Sequence, residues 1–433
     1  MRVVIAALCL PALLVSSASA QLRVIITDRT QDSAWLLNDI NGDFVITEPD
    51  ELVRWYGPGN ASALPGVLNP NNIGFMRNAV DGLVLIGDQD SSARKIYWTR
   101  DGNSDGDAMD EGEAGVFADL SSGAGQWFAF PTGITFDAAG VPVVVNAGNG
   151  FGPDSIWRCN DLNSDKDAND AGETTALATV NGFSTSNGSY SPQEVAFDAD
   201  GAIMLRNSSA NLHGVWRIKD TDGNGIADQP SEFALWYGLG NAAGFTMSAG
   251  FAIDNDLVRP GAFYYQSVAS GGVDEIYRLR DNNNDGDAQD DGEAVLVYTT
   301  SETGFTIIDV ASLADGSLLV TDNSGKRVFR LVDRDGDDKF LAANERDVFL
   351  AASSTFGDVR NLAIVRDVQV CQDIDFNNNG VFPEDQDVVD FFDVLAGGSC
   401  AACNTIDFNN NGVFPEDQDV IDFFNVLAGG NCP

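Results

Sequence analysis

Apolar and polar positions alternate along this chain in short runs separated by Asp- and Asn-rich stretches. Six runs (SAWLLND, KIYWTRD, SIWRCND, GVWRIKD, EIYRLRD and RVFRLVD) each place an aromatic residue four positions before an Asp. These aromatics are Trp35, Tyr97, Trp157, Trp216, Tyr277 and Phe329, and the residue two before the Asp is usually apolar. A period of two predicts a β-strand. Another apolar run follows each Asp-rich stretch, as in LVRWYG, AVLVYTT and DVFLAAS, so each stretch is the loop of a β-hairpin. Upstream, ITFDAAGVPVVV, VAFDADGAIML and ASLADGSLLV read as two further strands joined at Asp-Gly or Ala-Gly turns.

The pattern thus predicts four strands per unit, with successive units 62, 60, 59, 61 and 52 residues apart. Four-stranded antiparallel units repeated radially make a β-propeller, here all-β with six blades over residues 21–368. The first unit opens at LRVIITD, which reads as a second strand with no first. The run Asn361–Val365 supplies the missing strand. Pairing of residues 361–366 with 22–27 would close the ring and leave no open sheet edge.

The Asp-rich loops share a ladder. Oxygen-bearing side chains stand at positions 1, 3 and 5, often 7, and a carboxylate returns at position 13. The blade ladders are Asp39, Asn41, Asp43, Glu51; Asp101, Asn103, Asp105, Asp107, Glu113; Asp161, Asn163, Asp165, Asp167, Glu173; Asp220, Asp222, Asn224, Glu232; Asp281, Asn283, Asp285, Asp287, Glu293; and Asp333, Asp335, Asp337, Glu345. Alternating hard oxygens, a backbone carbonyl at 7 and a closing acid suit calcium, which takes six to eight oxygen ligands. The closing acid stands one residue later than in an EF-hand, and a strand replaces the helix that would follow. Position 6 favours Gly for its positive φ. Phe44, Lys166 and Asp338 depart from this, so the loops at Asp101 and Asp281 match best and those at Asp39 and Asp333 least. An affinity of about 0.1–1 mM is expected of such extracellular modules.

Charge agrees with this reading. The chain carries 65 acidic and 24 basic residues, net −41. That disfavours nucleic acid as a partner, and bound cations would relieve the repulsion where acids concentrate. Arg2, an apolar stretch over Val3–Val15 and Ala18-Ser19-Ala20 read as a signal peptide over residues 1–20, so export is expected. No later run is apolar enough for a transmembrane helix. Cys159 stands where the other blades hold Leu37, Thr99, Ile218, Leu279 and Leu331, and reads as a buried core thiol. The Arg residues beside the aromatics, Arg158, Arg217, Arg278 and Arg330, read as inter-blade donors.

Residues 371–400 and 403–432 repeat at a spacing of 32. Each copy carries a ladder, an amphipathic run and a Gly-Gly-x-Cys ending, with Pro383 at the helix start and Gly397-Gly398 at its end. A calcium loop followed by one helix, given twice, resembles the dockerin module, and the ending is similar to GC-type dockerin-like anchors. The resemblance covers residues 369–433. It implies docking to a cohesin-like or cell-surface partner, with calcium held by Asp375, Asn377, Asn379 and Asp387 and by Asp407, Asn409, Asn411 and Asp419. Repeat symmetry favours disulfides Cys371–Cys400 and Cys403–Cys432 among three possible connectivities.

The strand layout also resembles NHL-type and gluconolactonase-like propellers at fold level. The single histidine, His213, falls in a loop of the fourth blade, and no G-x-S-x-G elbow is present. A non-catalytic binding, adhesion or scaffold role with an unknown protein or glycan ligand is therefore expected. The alternative is a metal-dependent, lactonase-like hydrolase acting on a carbohydrate-derived substrate, with Glu194, Asp309 and Asp358 as channel candidates.

Overall fold

The structure is a computed structural model. It describes residues 22–365 except 48, 63, 65–69, 76–82, 90–93, 104, 120–129, 138, 148–153, 179–183, 186–187, 190, 209–211, 229–230, 239, 243–250, 269–272, 301 and 303. In the tail it describes 372, 374–381, 384–400, 402–406, 408 and 417–427. The expected signal peptide, Cys371, Cys432, Asp407, Asn409 and Asn411 lie outside the described residues. The chain divides into two compact units, one over residues 22–367 and one that takes in 368–433.

The larger unit is a six-bladed β-propeller of four-stranded antiparallel sheets. Second strands such as Pro142–Asn146, Ile203–Asn207 and Leu318–Asp322 are buried at every position. A strand covered by a neighbouring blade on each face reads as an apolar run, and each of these opens with at least three apolar residues before ending on Asn146, Arg206-Asn207 or Thr321-Asp322. The first strands Pro131–Phe136, Pro192–Phe197, Ile253–Asn255, Ile307–Ser312 and Val359–Val365 line the centre with Pro70–Phe75, each touching the next around a closed ring.

Ring closure follows the sequence expectation. Arg23–Asp28 pairs antiparallel with Val359–Val365, matching Arg23 to Val365, Ile25 to Ala363 and Asp28 to Val359. The first blade is therefore assembled from both ends of the propeller sequence.

The six aromatics fill the junctions between blades. Trp35 packs with Leu319, Val328 and Phe349 of the sixth blade, and Tyr277 with Trp236 and Tyr237 of the fourth. Cys159 is a fully buried free thiol in the junction of the second and third blades, where burial pushes its pKa up to about 12. The arginines depart from expectation. Arg158, Arg217 and Arg330 pair with Asp137, Asp200 and Asp315 in the turn of their own blade, where the charge is nearest. Arg278 alone of the four forms an ion pair with another blade, reaching Asp338 at 3.8 Å.

A regular irregularity runs through all six sheets. In every blade the pairing of the third and fourth strands slips by one residue at the aromatic, leaving one extra residue in the fourth strand. These bulge residues are Trp55, Phe117, Leu177, Trp236, Val297 and Phe349.

Among its described residues the tail unit holds two helices, α1 (Asp385–Leu395) and α2 (Asp417–Leu427). Its core is Phe376, Phe391, Phe408 and Phe423, with Phe391 and Phe423 stacked 4.3 Å apart and nearly parallel. Gln372 N–H donates to the Phe408 carbonyl and Asn404 N–H to that of Phe376, the same bond given twice across the repeat. Cys400 is bonded to Cys403, which corrects the symmetric pairing expected from the repeats. Two cysteines so close in sequence, with Cα atoms 5.4 Å apart, meet more readily than partners at the two ends of a repeat.

Candidate metal sites

The six blade loops and the first tail loop wrap alike. The position-6 N–H reaches back to the position-1 carboxylate in all seven: Phe44 to Asp39, Gly106 to Asp101, Lys166 to Asp161, Gly225 to Asp220, Gly286 to Asp281, Asp338 to Asp333 and Gly380 to Asp375. Position 5 donates to position 3 in the same way, as Asp43 to Asn41 and Asp285 to Asn283. These turns fold each loop back onto its own first carboxylate.

The loops of uncertain position 6 close like the others. Phe44, Lys166 and Asp338 adopt φ of 60°, 75° and 66°, the left-handed conformation Gly would supply. Each meets the preceding blade with its side chain. The Arg330 guanidinium lies 3.5 Å from the Phe44 ring centroid, Lys166 stands over Trp98, and Asp338 pairs with Arg259. These contacts offset the backbone cost, so a side chain at position 6 does not break the loop. In backbone conformation the loops at Asp39 and Asp333 therefore do not differ from those with Gly at position 6.

The thirteenth position also has a cause. In the second, third, fifth and sixth blades its N–H closes a turn onto the position-10 carbonyl, as Glu293 to Asp290 and Glu345 to Ala342. Its carboxylate spans the loop: Glu293 accepts from Asn282 N–H at 2.8 Å and Asp290 N–H at 3.0 Å. In the tail the same two positions begin α1, where Glu384 N–H donates to Asp387 at 3.4 Å. The extra residue relative to an EF-hand is this one turn, which leads on to strand or helix.

Where position 3 is an acid, three carboxylates converge. Oxygens of Asp220, Asp222 and Glu232, and of Asp333, Asp335 and Glu345, lie within 4.8 Å of one another. Either group could hold a metal ion. Asn41, Asn103, Asn163, Asn283 and Asn377 bring a neutral oxygen to the same place in other loops.

Electrostatics mark the strain of crowding. Burial raises the pKa of Asp107, Asp167 and Asp287 at position 7, and neighbouring acids raise it further. Burial also raises Asp39, which is 1% exposed and whose Oδ1 has no hydrogen-bond partner. An orphaned buried carboxylate oxygen costs free energy unless a cation meets it. Glu232 is different: N–H groups of Thr221 and Asp228 hold its pKa down to about 2. The donor set is all hard oxygen, which suits calcium or magnesium rather than a soft metal.

A second acidic site lies in the central channel. A pocket of about 460 Å³ is lined by Ile134, Glu194, Ile253, Asp254, Asp309 and Leu362, among others. Glu194 and Asp309 come together there, as sequence suggested, and Asp254 joins them unforeseen, because its strand is only three residues long. Asp358 is not among the lining residues; it pairs with Arg360 and Asn323. Each of the three acids accepts an N–H from the next blade: Glu194 from Ile253 at 3.1 Å, Asp254 from Ser312 at 2.8 Å and Asp309 from Leu362 at 2.9 Å. Burial, with repulsion from neighbouring acids added, raises Glu194 well above the usual carboxylate range and Asp254 and Asp309 to about 7. His213 immediately precedes the strand Gly214–Ile218 and is not among the lining residues.

No family model matches the chain, and no curated protein matches it. Among solved structures it is similar to a chain of a nidogen/laminin complex, at 12% identity and a TM-score of 0.50, over 80% of this chain and 98% of that one. Virginiamycin B lyase from Staphylococcus aureus is similar at 13% identity and a TM-score of 0.43, over 77% and 82%. The PQQ-bound aldose sugar dehydrogenase from Streptomyces coelicolor is similar at 12% identity and a TM-score of 0.44, over 75% and 90%. At such identities the likeness concerns the propeller fold alone.

Proposed function

We propose that this chain is an exported, calcium-stabilised β-propeller, displayed through a dockerin-like C-terminal module and acting as a non-catalytic binding, adhesion or scaffold protein. The observation that carries the reading is the repeated loop wrap, with an orphaned buried oxygen of Asp39 in one copy. Asp39, Asn41, Asp43 and Glu51, and the equivalent residues of each other loop, would hold the ion. Calcium would supply charge neutralisation and cross-linking within each loop.

For the tail, a cohesin-like or cell-surface partner is favoured by exposed apolar residues on both helices. Phe392 and Phe424 are each about 40% exposed, with ring centroids 6.0 Å apart. No Lys, Arg or His follows Arg366, so a basic rim on the partner would complement the module. The propeller's own ligand would be a protein or glycan.

Calorimetric titration of the chain with calcium chloride tests the first claim. Several sites at about 0.1–1 mM are expected, and absence of binding heat with an unchanged melting temperature in EGTA would sink the reading. The lactonase-like alternative draws on one observation, the acid-lined channel pocket. Calcium-dependent hydrolysis of aldonolactones that is lost in Glu194→Gln would favour it. The use of all three acids to bind the adjoining strand's N–H groups favours a structural role instead.

A further inference from the structure

Position 8 is the one consistently apolar place in the blade ladders, and it is buried in all six: Ile46, Ala108, Ala168, Ala227, Ala288 and Phe340. Its N–H does not serve its own loop. It donates to the bulge carbonyl of the preceding blade. Ala108 bonds Trp55 at 2.8 Å, Ala168 Phe117 at 2.7 Å, Ala227 Leu177 at 2.7 Å, Ala288 Trp236 at 2.8 Å and Phe340 Val297 at 2.8 Å. Ile46 of the first blade bonds Phe349 of the sixth at 2.8 Å, across the closing seam. The bulge and the loop thus form one joint, repeated at every junction.

The chemistry of that joint depends on a single peptide plane. The position-8 N–H and the position-7 carbonyl belong to the same trans peptide and point in opposite directions. In calcium loops of this pattern the position-7 carbonyl faces the ion. An ion on one side therefore orients the N–H on the other and polarises it as a donor. We propose that each ladder loop, when it holds a divalent cation, locks its blade onto the preceding one through the position 7–8 peptide, so that all six junctions, the seam included, loosen when the cation is removed. This rests on the calcium reading above and adds to it where the binding energy acts. The position-6 contacts of Phe44, Lys166 and Asp338 support the same three junctions without a metal, so the junctions clasped by Ala108, Ala227 and Ala288, where position 6 is Gly, depend on the ion most.

Hydrogen exchange of the propeller, read by mass spectrometry on short peptides, tests this with calcium chloride and with EGTA. The expected result is at least a tenfold faster exchange in EGTA at Ala108, Ala227 and Ala288, a smaller change at Ile46, Ala168 and Phe340, and little change in Ile203–Asn207. Glu293→Gln, which keeps the loop length, should speed exchange at Ala288 and leave Ala108 unchanged in calcium. Exchange at position 8 that ignores EGTA, while calorimetry records calcium binding, overturns the clasp and leaves the calcium reading standing. Failure to bind calcium at all overturns both.

Discussion

Asp309 offers the sharpest test of how the ring is held. Its carboxylate is 4% exposed and accepts from Leu362 N–H, Val310 N–H and the Asn361 amide, so it lies on the junction between the sixth blade and the closing strand. Burial lifts its pKa from 3.8 to about 7. The native state then keeps a proton that the unfolded chain releases above about pH 4. Between those values the unfolded state binds fewer protons, so stability falls as pH rises through the window, by at most ~4 kcal/mol for a shift of about three units. Below pH 4 both states are protonated, and above the folded pKa the loss is complete. Asp309→Asn cannot ionise and retains an acceptor for Leu362. The variant should therefore gain on the wild type steadily from pH 4 to pH 7 and be the more stable protein at pH 8. Urea unfolding followed by tryptophan fluorescence measures this cleanly, because all seven Trp residues precede residue 240 and none lies in the tail. Titration of the loop carboxylates is common to both proteins and cancels in the difference. A difference independent of pH, or a variant that loses most at pH 8, would refute the argument; the latter would mean that the carboxylate is ionised and compensated, as by a cation in the channel.

Leu362→Ala empties a buried position of the closing strand, 6% exposed, and should cost about 2–5 kcal/mol in the same unfolding assay, whereas Leu162→Ala, 63% exposed in a loop, should change stability by under ~0.5 kcal/mol. The Cys159 thiol, buried and with a pKa of about 12, should resist iodoacetamide at pH 8 until the propeller is unfolded; rapid native labelling would contradict its burial. Peptide mapping without reduction should recover the Cys400–Cys403 link, and a Cys403–Cys432 link in its place would contradict the structure. Phe391→Ala removes half of the tail's aromatic stack and should cost about 3–5 kcal/mol, enough to abolish the tail's far-ultraviolet helical signal in the isolated variant comparison of full-length chains while leaving tryptophan fluorescence unchanged.

What the sequence made legible is what repeats with a period. Strand alternation, the aromatic before each ladder and the missing first strand gave six blades and the seam, because a closed ring leaves one solution for an unpaired run. The ladder loops were equally plain, since Asp and Asn at alternating positions accept the N–H groups that wrap them. Less legible was anything decided by backbone register. A bulge residue such as Trp236 or Phe349 reads as one more apolar position in a strand, and only pairing reveals that it is the extra one. Asp254 was hidden for a related reason: a three-residue strand has too few positions to display a period. Arg158, Arg217 and Arg330, though not Arg278, were misassigned because charge alone does not say which of several acids lies within reach. Yet one sign of the joint was present in the letters. An apolar residue at position 8 of a loop otherwise crowded with acids has no reason to be there unless that place is buried, and burial in a hairpin loop requires a neighbour to cover it. In a propeller the available neighbour is the adjacent blade. The ladder therefore carries two messages at different positions: its acids make an oxygen-rich loop that could hold an ion, and its one consistently apolar position marks the blade that covers it.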